Sequence, residues 1–275
     1  MTGNPIVRGA QEALFARLIE ATPSLNRLAF RVGGRVRGEY IFPADHDRED
    51  TQRTRSFLFL SLAALVGRRT GHDNVITMAE NGQLAINAPL TSARVGPFST
   101  HTAHPEFVAV AQELLRNILS HPLTLENPYL YLTKAEVLDR LPAAFRTDIG
   151  KTVSCWRASR VRQFRHCGDC VPCIVRRIAL ENRGVDIAEY ARDLFRQNLA
   201  ALDPLDPGKR NIAEMILFVQ QFESARRRGP EAIRESFPEI INPYIDFTNA
   251  VAMYSRFCDE ALQVFRRYRY VAELL

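Results

Sequence analysis

No apolar stretch in this 275-residue chain approaches the ~20 residues that a membrane span requires; the longest, Phe57 to Val66, stops after ten. A helical membrane protein is therefore excluded. The opening residues, Met1-Thr2-Gly3-Asn4-Pro5, have neither the basic region nor the apolar core of a secretion signal, so a cytoplasmic location is expected. There is no internal repeat and no low-complexity segment. Cysteine is scarce, at five residues, and the number is odd, so a disulfide framework is not expected. In a reducing compartment, clustered cysteines mean metal or catalysis. Charge is nearly balanced, 36 basic against 31 acidic residues for a net +5, which permits an anionic partner without demanding one. What is present is ordinary for a soluble globular protein: 46% hydrophobic and 24% charged residues, in a chain long enough for a buried core.

The chain reads as two parts. From Pro5 to about Leu180, extended and helical runs alternate. A helix follows Asn4-Pro5, with Ala10, Leu14, Leu18 and Ile19 on its apolar positions, and a short strand runs from Leu28 to Val32. Arg55 opens a helix through Phe57 to Val66 that is apolar all round and so expected to be covered on most sides. Val75-Ile76-Thr77-Met78 is a strand, and Glu80 to Pro105 is a long irregular stretch of the kind that is usually functional or disordered. Pro105 starts a helix, Tyr129-Leu130-Tyr131-Leu132 reads as a strand, and Thr133 to Glu136 is a capping box. This alternation predicts an α/β domain over 1–184, with a parallel sheet and crossover helices. After Gly184 the patterns are helical: Asp186 to Leu199, Asn211 to Arg227, Pro230 to Phe237 and Phe247 to Leu275. They predict an all-helical C-terminal domain over 185–275.

Four of the five cysteines, Cys155, Cys167, Cys170 and Cys173, read C-x11-C-x2-C-x2-C. Two-residue spacers let a tight turn present several thiolates to one tetrahedral ion, and a distant fourth ligand closes the site. The reading adopted is a structural zinc site; an iron–sulfur cluster is the alternative. His166 is a candidate replacement for one thiolate. Cys258 stands alone on a helical pattern and reads as core. Arg157, Arg160, Arg162, Arg165, Arg176 and Arg177 surround the cluster against one acid, Asp169, which suits phosphate or nucleic-acid contacts or else a solvated basic face.

Ser154-Cys155 followed by His166-Cys167-Gly168-x-Cys170-x-x-Cys173-x-x-Arg176 resembles the carboxy-terminal zinc signature of the 7-cyano-7-deazaguanine synthases of queuosine biosynthesis. It is more similar still to the synthase-like component of the Qat anti-phage defence system. Thr54-Arg55-Ser56-Phe57-Leu58-Phe59-Leu60, Val75-Ile76-Thr77 with Glu80-Asn81-Gly82, and Thr133-Lys134-Ala135-Glu136 are similar to three upstream stretches of the family in order and spacing. The resemblance covers about Asn4 to Leu180. It implies an adenine-nucleotide alpha-hydrolase-like fold and an ATP-dependent ligase. Such an enzyme adenylates the carboxylate of a 7-carboxy-7-deazaguanine, lets ammonia displace AMP, and dehydrates the amide to a nitrile. It also implies a small-molecule 7-deazapurine-like substrate, with other defence-system proteins as possible partners.

The sequence departs from the family at the phosphate loop. Ser-Gly-Gly-x-Asp-Ser is absent, and the one Gly-Gly pair, Gly33-Gly34, runs into Arg35-Val36-Arg37. The expectation is a parallel sheet incomplete at its N-terminus, in a truncated or split gene product that is inactive alone and binds ATP weakly. The other reading is a non-catalytic, zinc-stabilised basic module that binds nucleic acid or a protein partner. Arg55, at a helix start, and Lys134, at the first turn of a capped helix, are the candidate nucleotide contacts. Glu80 and Asn81 end a strand at the same sheet edge and are candidates for hydrogen bonding a purine-like base. His101 and His104, in Ser99-Thr100-His101-Thr102-Ala103-His104-Pro105, are the candidate proton shuttles, with Thr102 or Ala103 as the alternative cap of the next helix.

Overall fold

A computed structural model describes residues 5–28, 35–36, 39–40, 55–71, 74–91, 102–161, 165–185 and 190–275. The Leu28–Val32 strand (apart from Leu28), Gly33-Gly34, and His101 lie outside the described residues.

Helix starts follow the local chemistry of the sequence. Helix α1 spans Pro5–Ala21, with proline at its first position. Arg35–Val36 (β1) pairs antiparallel with Glu39–Tyr40 (β2). Helix α2 is Arg55–Thr70 and is followed by strand β3, Val75–Thr77. A four-residue helix, α3, covers Gly82–Ala85. Helix α4, Pro105–Leu119, is capped by His104, whose Nδ1 accepts from the Glu106 N–H at 3.3 Å. The cap is thus His104 itself, one or two residues later than Thr102 or Ala103, because proline at N1 sets the first turn. Strand β4 is Thr124–Glu126.

Strands β3 and β4 run parallel, with Val75, Ile76 and Thr77 opposite Thr124, Leu125 and Glu126, and α4 lies in the crossover between them. The chain is therefore mixed α/β and mostly helical, with a small parallel sheet among the described residues. No described helix is long and apolar enough to cross a membrane.

The strand expected over Tyr129–Leu132 is a turn instead. Pro128 offers no N–H to a ladder, and Asn127 Oδ1 accepts the Tyr129 N–H at 3.1 Å. The Leu132 N–H turns back to the Tyr129 carbonyl at 3.0 Å. Thr133 then begins helix α5, Lys134–Asp139, with the capping box complete in both directions. Helix α2 is also less covered than its composition suggests. Leu60 and Ala64 are buried against α4, while Leu58, Phe59 and Leu65 are exposed. Among the described residues, one face of α2 is packed.

Helix α6, Val171–Asn182, is the centre of the molecule: every residue from Val171 to Leu180 is buried. Three long or short helices close around it: α7 at Pro207–Arg228, α8 at Pro230–Ser236 and α9 at Phe247–Phe265. Phe218, Phe222, Phe237 and Tyr254 pack ring on ring between them, with centroids 5.2–6.0 Å apart. The largest core joins these helices to α6 and to Ile86, Ala88 and Leu90, so apolar packing runs across position 184. Helix α9 ends at Phe265 and a separate turn of helix, α10, covers Arg269–Ala272, where one run to Leu275 was expected.

The helix expected from Asp186 to Leu199 does not form over its described part, 190–199. Its backbone donors are taken by another segment: the Ala191 N–H reaches the His166 carbonyl at 2.9 Å, and the Arg192 N–H the Cys167 carbonyl at 3.1 Å. Two parallel extended segments thus replace a helix.

The irregular stretch after β3 is buried from Asn81 to Gln83, from Ala85 to Ala88, and again at Leu90 and Thr91. Its close approach to the 129–132 turn requires glycine at position 82. The Gly82 N–H donates to the Leu132 carbonyl at 2.9 Å, and an added Cβ would sit 2.2 Å from the Leu130 carbonyl oxygen. Gly82→Ala is therefore expected to destabilise the fold by about 1–3 kcal/mol. Gly9→Ala, in mid-α1 with open space around it, is expected to stabilise by about 0.5–1 kcal/mol. Thermal unfolding of the two variants checks the contrast in sign.

Candidate metal centre and adjoining anion site

Cys155 immediately precedes a turn, Cys167 follows the bridge residue His166 and leads into a bend at Gly168, Cys170 is the residue before α6, and Cys173 lies in its first turn. All four thiols are buried and unoxidised, and their sulfurs lie within 4.8 Å of one another. Two of the separations are 3.8 Å, Cys167 to Cys173, and 4.0 Å, Cys155 to Cys170. A tetrahedral ion with metal–sulfur bonds of about 2.3 Å has sulfur–sulfur edges of about 3.8 Å, so the cluster matches a single ion. An iron–sulfur cluster would spread its thiolates over several iron atoms. The all-sulfur donor set and closed geometry suit zinc in a structural role.

The local chain is shaped for this centre. Gly168 has φ +87°, and a Cβ there would meet the Arg192 carbonyl at 2.0 Å, so the 190–192 segment lies directly on the cysteine loop. Backbone N–H groups of Arg157 and Cys167 point at Cys155 Sγ from 3.2 and 3.4 Å. Hydrogen bonds from Cys167 and the other cysteines hold the Cys155 thiol far below its usual range, while the same contacts push Cys170 and Cys173 up. Against the push of Cys155, the Cys167 thiol is also held below its usual range by Cys170 and Cys173. Without a cation the four thiols therefore compete for ionisation, and a divalent ion would let all four ionise. The N-terminus of α6 favours the charge on Cys170 and Cys173.

His166 does not join the cluster. Its Nε2 accepts the Ser154 N–H at 3.2 Å, and its ring lies 5.8 Å from that of Tyr190. Burial first, then the charge of Arg176, lowers its pKa to about 4, so it is a neutral acceptor at pH 7.

The arginines around the cysteines are largely engaged within the fold. Arg177 is buried, pairs with Glu181 at 2.6 Å and with Asp193, and lies 4.3 Å from the Phe195 ring centroid. Arg165 donates to the Gly150 carbonyl at 2.8 Å, and Arg157 meets Asp169 at 3.2 Å. Arg176 is buried, with no carboxylate partner among the described residues. It donates to Thr152 Oγ1 at 2.7 Å and to the Ile149 carbonyl at 2.8 Å. Four thiolates around a divalent ion make a doubly negative unit, and Arg176 lies one helical turn beyond Cys173, where its charge compensates that unit.

On the other side of Arg176 is Lys134. It opens α5, and burial lowers its pKa, with Glu80 as the opposing favourable charge and Arg176 as a repulsive one. Glu80 and Asn81, expected to end a strand, lie beyond β3, which stops at Thr77, and the Gly82–Leu132 hydrogen bond places them beside Lys134. Asn81 donates its side-chain N–H to Glu80 Oε1 at 2.7 Å, leaving its own Oδ1 buried without a partner. Gln83 Oε1 and Thr91 Oγ1 are likewise buried and unpartnered. Sequence reasoning missed these last two, since no motif marks them. The structure thus brings Glu80, Asn81 and Lys134 together beside the cysteines. It does not bring Arg55 to them by any hydrogen bond or ion pair among the described residues, and it gives His104 a capping bond.

Residues 98–184 match the family described as queuosine biosynthesis protein QueC. That span holds Lys134 and all four cysteines. The chain is similar to the 7-cyano-7-deazaguanine synthase of Porphyromonas gingivalis strain W83, 28% identical over 155 residues, which are 50% of this chain and 68% of that protein. It is also similar to the synthases of Agrobacterium fabrum, 27% identical over 168 residues (59% of this chain, 64% of that protein), and Acinetobacter baylyi, 34% identical over 86 residues (30% and 36%). No solved structure matches the chain. The likeness to the synthase family expected from the cysteine signature is therefore found.

Elemental analysis of the purified chain is expected to give one zinc per molecule, with no visible iron–sulfur absorbance. Cys173→Ser, and Gly168→Ala through its clash, should each lose metal and thermal stability together. Metal should also be released as the pH falls and protons compete for the thiolates. A metal-free protein of unchanged stability would contradict the assignment.

Proposed function

We propose that this chain acts as a 7-cyano-7-deazaguanine synthase-like protein, binding a 7-deazapurine carboxylate at the sheet edge beside a structural zinc. The observation that carries this is a match of unfilled chemistry. Asn81 Oδ1 and Gln83 Oε1 are buried acceptors without donors, and Lys134 is an enclosed ammonium without an ion-pair partner among the described residues. A guanine-like ring offers N–H donors at its pyrimidine edge, and a 7-carboxylate offers the anion. Buried polar atoms left unsatisfied cost free energy that such a ligand would recover. In this reading the nucleotide alpha-hydrolase-like architecture places the ligand at the carboxyl ends of β3 and β4. The zinc, held by Cys155, Cys167, Cys170 and Cys173, fixes α6 and with it Arg176.

Adenylation would need backbone N–H groups cradling phosphate, and the sequence contains no Ser-Gly-Gly-x-Asp-Ser run. The proposal therefore assigns this chain the substrate-binding and zinc part of an ATP-dependent ligase. The phosphate-binding part comes from another segment, with Arg55 as its nearest contact here. A cytoplasmic setting and a role in anti-phage defence belong to the same proposal and rest on the motif resemblance. The alternative of a basic nucleic-acid module loses its main support, since Arg157, Arg165, Arg176 and Arg177 are engaged inside the fold.

Calorimetry with 7-carboxy-7-deazaguanine and the zinc-loaded chain tests the reading. Binding is expected without ATP. Lys134→Met should weaken it by about tenfold or more, the value of a charge-assisted hydrogen bond. Asn81→Leu should weaken both the acid and its decarboxylated analogue, whereas Lys134→Met should spare the analogue. Absence of binding to the parent chain would sink the proposal.

A further inference from the structure

The family match ends at residue 184, yet helix α9, far beyond it, touches both segments that carry the candidate site. On the first segment, Tyr254 OH accepts the Ala88 N–H at 3.1 Å and donates to the Gln83 carbonyl at 3.5 Å, while Met253 closes on Gly82. On the second, Arg256 Nη2 donates to the Tyr131 carbonyl at 2.9 Å, and its Nε lies 2.7 Å from Glu136 Oε1. Glu260 Oε1 accepts the Thr133 hydroxyl proton at 2.9 Å and lies 3.5 Å from Arg183 Nη2.

Thr133 is the cap of α5. Its Oγ1 accepts the Glu136 N–H at 3.1 Å while giving its own proton to Glu260, so the hydroxyl is fixed in both roles. Glu136 returns the capping bond to the Thr133 N–H at 2.7 Å and meets Arg256 on its other side. Lys134 is the first residue of the helix so held. Glu260 is an unlikely choice for packing alone. Burial pushes its carboxyl up to about 7, the Thr133 hydrogen bond and the charges of Arg183 and Arg256 pulling down and Glu136 pushing up. With a folded pKa above the unfolded one, its ionisation removes stability as the pH rises through 7, so an apolar residue would serve the core better.

We propose that Glu260 is a positioning residue for the anion site: through Thr133 it fixes the first turn of α5 and holds the Lys134 ammonium between Glu80 and Arg176. The C-terminal helices then complete the site rather than append to it. The inference rests on reading Lys134 as a site residue, but its test needs no substrate.

The chain has three lysines, Lys134, Lys151 and Lys209. Lys151 pairs with Asp148 at 2.6 Å and Lys209 donates to the Leu202 carbonyl at 3.0 Å, so the two serve as internal standards. The experiment is acetylation of the full, metal-loaded chain with acetic anhydride at fixed pH, read peptide by peptide by mass spectrometry. Glu260→Leu and Thr133→Val should raise the Lys134 rate about fivefold relative to the other two lysines, as the first turn loosens. Glu260→Gln and Thr133→Ser, which keep an acceptor and a hydroxyl, should restore the parent rate. An unchanged Lys134 rate in Thr133→Val, the near-isosteric variant, overturns the proposal. So does an equal rise at all three lysines, which would report general loosening. Failure of the parent chain to bind 7-carboxy-7-deazaguanine would leave this result untouched, so the two readings fail separately.

Discussion

Four sulfurs gathered within 4.8 Å is the constraint on which the rest of the structure turns. The segments that bring them together, 152–155 and 165–170, have little regular secondary structure. Once they are held, α6 has a fixed starting point, because Cys170 precedes it and Cys173 occupies its first turn. Among the described helices, α6 has the longest unbroken run of buried residues, Val171 to Leu180, and the main core is built around it. The four-cysteine cluster and the core are thus two ends of one element. Loss of the ion would release the N-terminal anchor of the helix that the core packs against.

Charge follows the same axis. Arg176 faces the cysteine end without a carboxylate, and Arg177 turns the other way into Glu181, Asp193 and the rings of Phe195 and Tyr268. A guanidinium tolerates this because its planar fork meets several acceptors at once, and it stays charged where an ammonium would lose its proton. Lys134, with its pKa lowered by burial, is the contrasting case. An ammonium in such a setting, with an arginine beside it, is costly to keep charged unless an anion arrives.

Much of the local structure could be read in advance. The T-x-x-E box and proline at the first turn of α4 are short-range signals whose chemistry is complete within four residues, whereas α7, expected from Asn211, starts at Pro207 under an Asp206 cap. The cysteine spacing was equally legible, since a two-residue spacer can present two sulfurs to one ion wherever it falls. The failures have one cause in common. Tyr129–Leu132 has strand-like residues but is turned by Asn127 and Pro128. The 190–192 segment has a helical pattern but gives its N–H groups to the His166 and Cys167 carbonyls. In each case a partner decided the conformation against local propensity.

The sequence by itself determined several helix starts, the four-cysteine spacing and the synthase-like signature, because each depends on neighbours a few residues apart or on donor chemistry alone. Only the tertiary structure decided that the 80–91 stretch is buried, that Arg176 faces the cysteines without a carboxylate, and that Glu260 of α9 holds the cap of α5. Those facts are contacts across as many as 171 positions. No periodicity records them, for they exist only when separate segments are packed out of water.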